Sequence, residues 1–353
     1  MRSVILSITA VLLALLIGAG ILLLSGASPI AAYSALVHGA FGDAQAWQRT
    51  LEKSTPLVFS GLAVAFAFKA GLFNIGAQGQ LLLGAIIAAA VGFGVEGLPA
   101  VVHAPLALLA GAAAGAVFAA IAGALKVYTG AHEVITTIML NYIAINLTDY
   151  LANGPWKDTS PGNIVARTPR ILDTAALPTW GPVPSGFVLS IVLAAIIYWL
   201  LWKTTFGFEI RTVGQNRHAA RYAGIRVART VILTMLISGL FAGLGGAVET
   251  QGVVGRYQPG FNVGLGFEGI TIALLAKTHP FGVIPAALLV GAMKAGSSQM
   301  QFVADVPKEI IDVIQALILF FIAADFLLRR LLRLKAEAGE ERLVLSTGWG
   351  SGE

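Results

Sequence analysis

Ten stretches of this chain are apolar enough to sit in a lipid bilayer, and that constrains every other reading. The first, from Val4 to Leu24, holds no charged residue. Crossing a hydrocarbon layer about 30 Å thick takes about 20 helical residues at about 1.5 Å each. The runs fall at 4–25, 56–70, 73–93, 104–125, 134–151, 185–202, 230–249, 264–276, 281–300 and 309–328. Hydrophobic residues make up 57% of the 353 and charged residues 12%, where a soluble domain carries roughly 25% charged. Lipid solvates such side chains, and a helix satisfies its own backbone. The first run exceeds the roughly 7–15 apolar residues of a signal peptide, so with Arg2 ahead of it we read an uncleaved first span.

Two runs are short. The run 56–70 passes into 73–93 through Gly71-Leu72-Phe73-Asn74, and 264–276 ends at Lys277-Thr278-His279-Pro280. Interruptions of this kind predict broken or re-entrant helices, which often line a pathway. Lys and Arg set the orientation. The loop 203–229 holds Lys203, Arg211, Arg217, Arg221, Arg226 and Arg229 against Glu209, and Arg329, Arg330, Arg333 and Lys335 follow the last run. Both should be cytoplasmic. About ten spans with both termini cytoplasmic accommodate these clusters together with Arg2, Lys69, Lys126 and Lys277. The expected fold class is an all-α polytopic membrane protein with broken or re-entrant segments. Residues 1–335 form the transmembrane domain and 336–353 a short cytoplasmic tail. The segment 152–184, rich in Pro and Trp, should be an ordered cap on the outer side.

Several chemistries are excluded. The chain has no cysteine, hence no disulfide or thiolate site. His38, His103, His132, His218 and His279 form no ligand pair at helical spacing, so no metal site is expected. There is no phosphate-binding Gly-x-x-x-x-Gly-Lys-Ser/Thr loop and no nucleophile–base pair, so no catalytic residue is assigned. The net charge of +5 lies beside apolar spans and reads as topology, with no nucleic-acid partner.

Five segments could carry function. Phe73 to Gln80 sets Asn74, Gln78 and Gln80 between two apolar runs, beside Gly76 and Gly79. Amides in hydrocarbon must pair or face water, so they are either interhelical glue or a polar hinge on a translocation path. In His132 to Tyr142, Glu133 sits at a helix start, where the dipole favours a carboxylate. Thr137 and Asn141 share a face there, for pairing or for a path. In Gly214 to Ile225, Asn216 can cap a short helix through Ala223, ended by Gly224. Ala219, Ala220 and Ala223 give that helix a small-residue face, and Tyr222 projects. Gly239, Gly243 and Gly246 suit close helix packing, while Glu249 falls near the outer end of its span, within reach of solvent. Glu268 opens a short half-helix after Gly264 and Gly266. Glu309, Asp312 and Gln315 share one face of the last run, with Lys308 placed to pair with Asp312.

Four motifs together resemble the permease subunits of bacterial ABC importers of the branched-chain amino acid and simple-sugar type. Within that family the resemblance is closest to nucleoside permeases. The motifs are Gly71 to Gln80, Glu133 to Tyr142, Gly214 to Ile225, and Gly266-Phe267-Glu268-Gly269-Ile270 leading to Pro280-Phe281-Gly282. The resemblance spans about Ala32 to Arg330. It implies a multi-pass protein of the bacterial cytoplasmic (inner) membrane. A second permease, usually a different gene product, would complete the translocation path. A cytoplasmic ABC ATPase would supply the ATP and Mg chemistry, with no cofactor in this chain. An extracytoplasmic solute-binding lipoprotein would deliver a nucleoside. Asn74, Gln78, Gln80, Thr137, Asn141 and Glu268 are the expected substrate path. Gly214, Asn216, Arg217, His218, Ala219, Ala220, Arg221, Tyr222 and Gly224 are the expected coupling helix that docks on the ATPase. The chain departs from the family at Gln78, where Glu is usual, at His132, where Asn is common, and at Arg217-His218, where Pro-Glu is frequent. Simple sugars are the alternative cargo. A stand-alone secondary transporter would want buried acids midway through the bilayer, and here the acids lie near span ends. A scaffolding protein would have no use for the capped helix.

Overall fold

The computed structural model describes residues 2–260, 264–307 and 309–323. Each of the ten apolar runs falls on a helix where it is described, although the first four residues of the run 73–93 are not helical. In chain order the helices are α1 (Arg2–Leu24), α2 (Pro29–Phe41), α3 (Ala44–Lys69), α4 (Ala77–Gly94), α5 (Ala100–Thr129), α6 (Glu133–Asn153) and α7 (Ser185–Lys203). They continue as α8 (Thr205–Gln215), α9 (Arg217–Tyr222), α10 (Val227–Glu249), α11 (Leu265–Leu275), α12 (Pro280–Ala304) and α13 (Glu309–Ala323). Seven of the described helices, α3 to α7, α10 and α12, are long and apolar enough to cross a membrane, α10 counted through Val254. The chain is a multi-pass membrane protein. The basic tail from Arg329 onward, the domain limit at 335, and Lys308 lie outside the described residues.

The core is built on α10, which packs against α5, α4 and α3. Glycine makes this possible. A Cβ on Gly239 or Gly243 would collide with the backbone of Gly115 or Gly111 on α5, and one on Gly246 with the Leu81 carbonyl of α4. The Gly239, Gly243 and Gly246 spacing is therefore a packing seam, as lipid-phase helices require in place of a hydrophobic drive. Around this core α11 lies on α3, α12 crosses α2 and α3, α6 lies on α4, and α1 pairs with α13.

Three expectations change. The span read at 56–70 is not a half-helix, because α3 starts at Ala44 and runs 26 residues with Pro56 inside it. Its first half looks polar in sequence, yet the hydroxyls bond to carbonyls. Thr50 donates to Ala40 O (2.8 Å), Ser54 to Thr50 O (2.6 Å) and Thr55 to Leu51 O (2.7 Å), so those side chains are buried without loss. Glu249 is not solvated. It is 5% exposed, enclosed where α10 passes into a π-helical stretch, Thr250–Val254. The basic loop 203–229 also contains a second helix, α8, beside the capped one.

The segment after α6 is an ordered cap. A two-stranded ribbon, β1 (Thr179–Trp180) with β2 (Val183–Pro184), precedes α7. Backbone bonds tie the cap to the bundle: Ile171 N donates to Gly255 O (2.9 Å), Leu172 N to Gly92 O (2.8 Å) and Leu177 N to Gln251 O (3.0 Å). Asp158 holds the cap loop together. It accepts from the Ser160 backbone at 3.0 Å and from its hydroxyl at 2.5 Å, and pairs with Arg167 at 3.3 Å. The two Ser160 hydrogen bonds, then Arg167, hold its carboxyl below the usual carboxylate value.

Candidate functional site

The interruption between α3 and α4 is built from local signals. Gly71 adopts φ +68. Gly71 N donates to Phe68 O at 3.0 Å and Leu72 N to Ala67 O at 3.1 Å. This is a Schellman end, in which the left-handed residue favours glycine. The chain then runs unwound through Phe73, Asn74 and Ile75 before α4 begins at Ala77.

Tertiary contacts decide where the amides go. Asn74 and Gln80 form a reciprocal pair: Asn74 Nδ2 donates to Gln80 Oε1 at 2.8 Å, and Gln80 Nε2 donates to Asn74 Oδ1 at 3.0 Å. Asn74 Nδ2 also reaches Ser238 Oγ at 2.8 Å, and Ser238 donates on to Ala63 O at 2.7 Å. Asn141 of α6 accepts from Gly79 N at 2.8 Å and donates to Ile75 O at 2.9 Å. Gln78 accepts from Gly266 N at 2.8 Å, which satisfies an N–H at the start of α11. Thr137 donates to Glu133 O at 2.6 Å, within its own helix. Asn74, Gln78, Gln80, Thr137 and Asn141 are all buried. Asn74, Gln78, Gln80 and Asn141 form one knot that ties the break to α6, α10 and α11, while Thr137 bonds only within α6. A Cβ on Gly266 would strike the backbone of Gln78, so the half-helix is seated directly on α4. Ser238 belongs to this knot although its sequence context, an apolar span, gave no sign of it.

Glu268 lies apart from the knot. Its Oε1 pairs with Lys294 Nζ of α12 at 2.8 Å, both side chains being about a quarter exposed. Its second oxygen, Oε2, has no hydrogen-bond partner among the described residues. Lys294 was missed in sequence, although a lone cation inside the run 281–300 is a signal in itself. The α11–α12 turn, at the other end of α11 from this pair, is strained, with Lys277 at φ 49 and Thr278 at φ 56. Such positive values in non-glycine residues persist only where surrounding packing imposes them.

At the opposite end of the bundle from the cap, the predicted short helix is present. Asn216 Oδ1 accepts from His218 N (2.9 Å) and Ala219 N (3.0 Å), and Gly224 ends the turn at φ +79. Tyr222 is 95% exposed. His218, Ala219, Arg221 and Ala223 are exposed beside it, whereas Ala220 packs inward, so the outward face is narrower than three alanines. Gly214 ends α8 against the break itself. A Cβ there would collide with the Lys69 carbonyl and crowd Ala70 and Gly71. Arg217 sits near Glu133; burial holds its guanidinium below the usual value while Glu133 draws it back. Glu133 is more than a dipole partner. It is buried in an ion pair with Lys126 of α5, and both side chains are nearly inaccessible. The sequence reading used Lys126 for orientation alone. His132 caps α6, its Nδ1 accepting from Val134 N at 3.3 Å.

Helices interrupted at a polar knot, with the end of α8 seated on that break and the capped α9 presented beyond it, make this a multi-pass membrane protein built around one interrupted segment. Residues 46–323 match the family described as branched-chain amino acid transport system / permease component, and the chain belongs to that family. It is 41% identical over 330 residues to the guanosine ABC transporter permease protein NupP of Bacillus subtilis (strain 168), covering 91% of this chain and 93% of that protein. The nucleoside ABC transporter permease protein NupB of Lactococcus lactis subsp. cremoris (strain MG1363) is 35% identical, with 94% and 93% covered. The glucose ABC transporter permease protein TsgB13 of Haloferax volcanii is 35% identical, with 90% and 87% covered. No solved structure matches the chain.

Proposed function

We propose that this chain is a permease subunit of a binding-protein-dependent ABC importer for nucleosides, in the bacterial cytoplasmic membrane. A second permease completes the path, an ATPase docks on α9 and supplies the ATP and Mg chemistry, and a lipoprotein delivers solute at the cap. About ten helices cross, with both termini cytoplasmic and residues 336–353 a tail. The nucleoside reading is supported by NupP and NupB, named as guanosine and nucleoside permeases. The glucose permease TsgB13 favours simple sugars as the second reading.

The observation that carries the mechanism is the seat of Gly214 on Lys69–Gly71. Closure of the ATPases pushes α9, and the adjoining end of α8 bears on the α3–α4 break. The amide knot at Asn74, Gln78, Gln80 and Asn141 passes that displacement to α6, α10 and α11 as one unit, since buried hydrogen-bonded groups resist separation. Glu268 and Lys294 then move with α11 and α12 and face the path, where a nucleoside offers both donors and acceptors.

The test uses proteoliposomes carrying this chain with its second permease, ATPase and lipoprotein. Radiolabelled guanosine should enter faster than radiolabelled glucose, and faster glucose uptake would move the reading to sugars. Tyr222→Asp should release the ATPase from the assembly and stop uptake of either solute. Unchanged assembly and uptake would remove α9 as the docking element.

A further inference from the structure

At the end opposite the cap, α9, the turn after it and the start of α10 meet Tyr128 at the end of α5 and enclose an open groove of about 620 Å³. Arg221, Arg226 and Arg229 border it, all exposed, above half-buried Ile225, Ile232 and Leu233. No acid among the described residues lines this groove. None of the three guanidinium groups has an ion pair among the described residues. A second groove of about 320 Å³ shares Arg229 and Leu233 and reaches Ile237, one turn further along α10. Its one acid, Glu209, accepts from Thr230 Oγ1 at 3.4 Å. Nor does any side chain among the described residues cap the start of α10, so the positive end of that helix opens at the same place.

Orientation by positive charge explains basic residues at this end of the bundle. It does not require three of them to share an acid-free groove whose floor continues along a membrane span. We propose that the groove binds one anionic phospholipid of the inner leaflet, its phosphate on Arg226 and Arg229 and its acyl chains along Ile232, Leu233 and Ile237. The site is amphipathic in the order a lipid is. Guanidinium groups pair with phosphate through two parallel N–H donors, and the apolar floor lies on the bilayer side of them. An acidic protein segment would match the arginines and leave the floor uncovered. Placement in the inner leaflet rests on the proposed cytoplasmic facing of this end.

The full-length chain in detergent would be titrated with phosphatidylglycerol, phosphatidylcholine or inorganic phosphate and read by native mass spectrometry. One phosphatidylglycerol should be retained in preference to phosphatidylcholine. R226Q/R229Q should weaken that retention roughly thirty-fold, and each single change roughly five-fold, at the usual contribution of one basic residue near an anionic surface. The single variants decide the matter if the double variant does not fold, as judged by thermal unfolding in phosphatidylcholine. Glu209→Gln removes the acid that shares the second groove with Arg229 and should not weaken retention. Equal retention of the two lipids, wild-type retention by the variants, or competition by inorganic phosphate alone would overturn the lipid site. So would displacement of the lipid by the ATPase with arginine-dependent ATPase binding, which would give the groove to that partner. Because the chain has no native cysteine, Arg226→Cys can be labelled with an impermeant thiol reagent. Labelling from the outer side would overturn the inner-leaflet placement without touching the groove.

Discussion

Asn74→Leu tests the central knot. The side chain is fully buried and makes a two-way amide pair with Gln80 plus a bond to Ser238. Leucine fills a similar volume, so cavity terms are small. What it removes is partners. Gln80 loses both its acceptor and its donor, while Ser238 still donates to Ala63 O. Each orphaned buried group costs about 1–3 kcal/mol, although interhelical bonds in membranes average nearer 0.6 kcal/mol. The two ends of Gln80 therefore predict a loss of about 2–4 kcal/mol. Reversible unfolding in mixed micelles, followed by circular dichroism, measures it. The same arithmetic makes a second, sharper statement. Asn74→Leu with Gln80→Met removes both partners at once and should recover most of the loss, since apolar replacement of a complete pair is nearly neutral. A single variant as stable as the wild type, or a double variant whose losses simply add, would refute the paired-amide account.

Three further outcomes are expected. Lys126→Met leaves buried Glu133 with only the longer His132 contact (3.7 Å) and the nearby Arg217 to offset its charge, so it should cost up to about 3–5 kcal/mol, with K126M/E133L recovering part of it in the same unfolding assay. Gly214→Val should keep the ATPase bound but lower uptake at least about ten-fold, because the new side chain cannot enter the contact with Lys69 and Gly71; normal uptake with normal assembly would remove that contact from the coupling route. The cap should open in acid. Asp158 has a lowered folded-state pKa, so its stabilisation is complete above the ordinary carboxylate value of about 3.9 and is lost as pH falls through the lowered one. Proteolytic nicking of 154–184 should rise below about pH 4, and Asp158→Asn should make it flat with pH.

Much of the site's local form could be read directly. Asn216 and Gly224 bound α9 because a capping side chain and a left-handed turn act within a few residues. Gly71 marked the end of α3 for the same reason. The start of α3 was not legible, because a hydropathy reading scores Thr50, Ser54 and Thr55 as polar, whereas their hydroxyls bond to carbonyls and the helix is buried. Glu249 looked solvent-accessible from its place near a span end, and the π-helical stretch after it and the packing around α10 buried it instead.

The amino-acid sequence alone determined that the chain threads a bilayer, where most of its apolar helices lie, where the chain breaks after Gly71 and which short capped helix is presented between two spans. Apolar runs, caps and glycine turns are local, and their energetics depend on neighbours a few residues away. The tertiary structure alone decided that Asn74 pairs with Gln80 and reaches Ser238, 164 positions on. It likewise decided that Gln78 receives the first turn of α11, that Lys126 lies buried on Glu133, and that Glu268 meets Lys294. A buried polar group takes whichever partner packing brings within about 3 Å, and that choice belongs to the arrangement of helices rather than to any one of them.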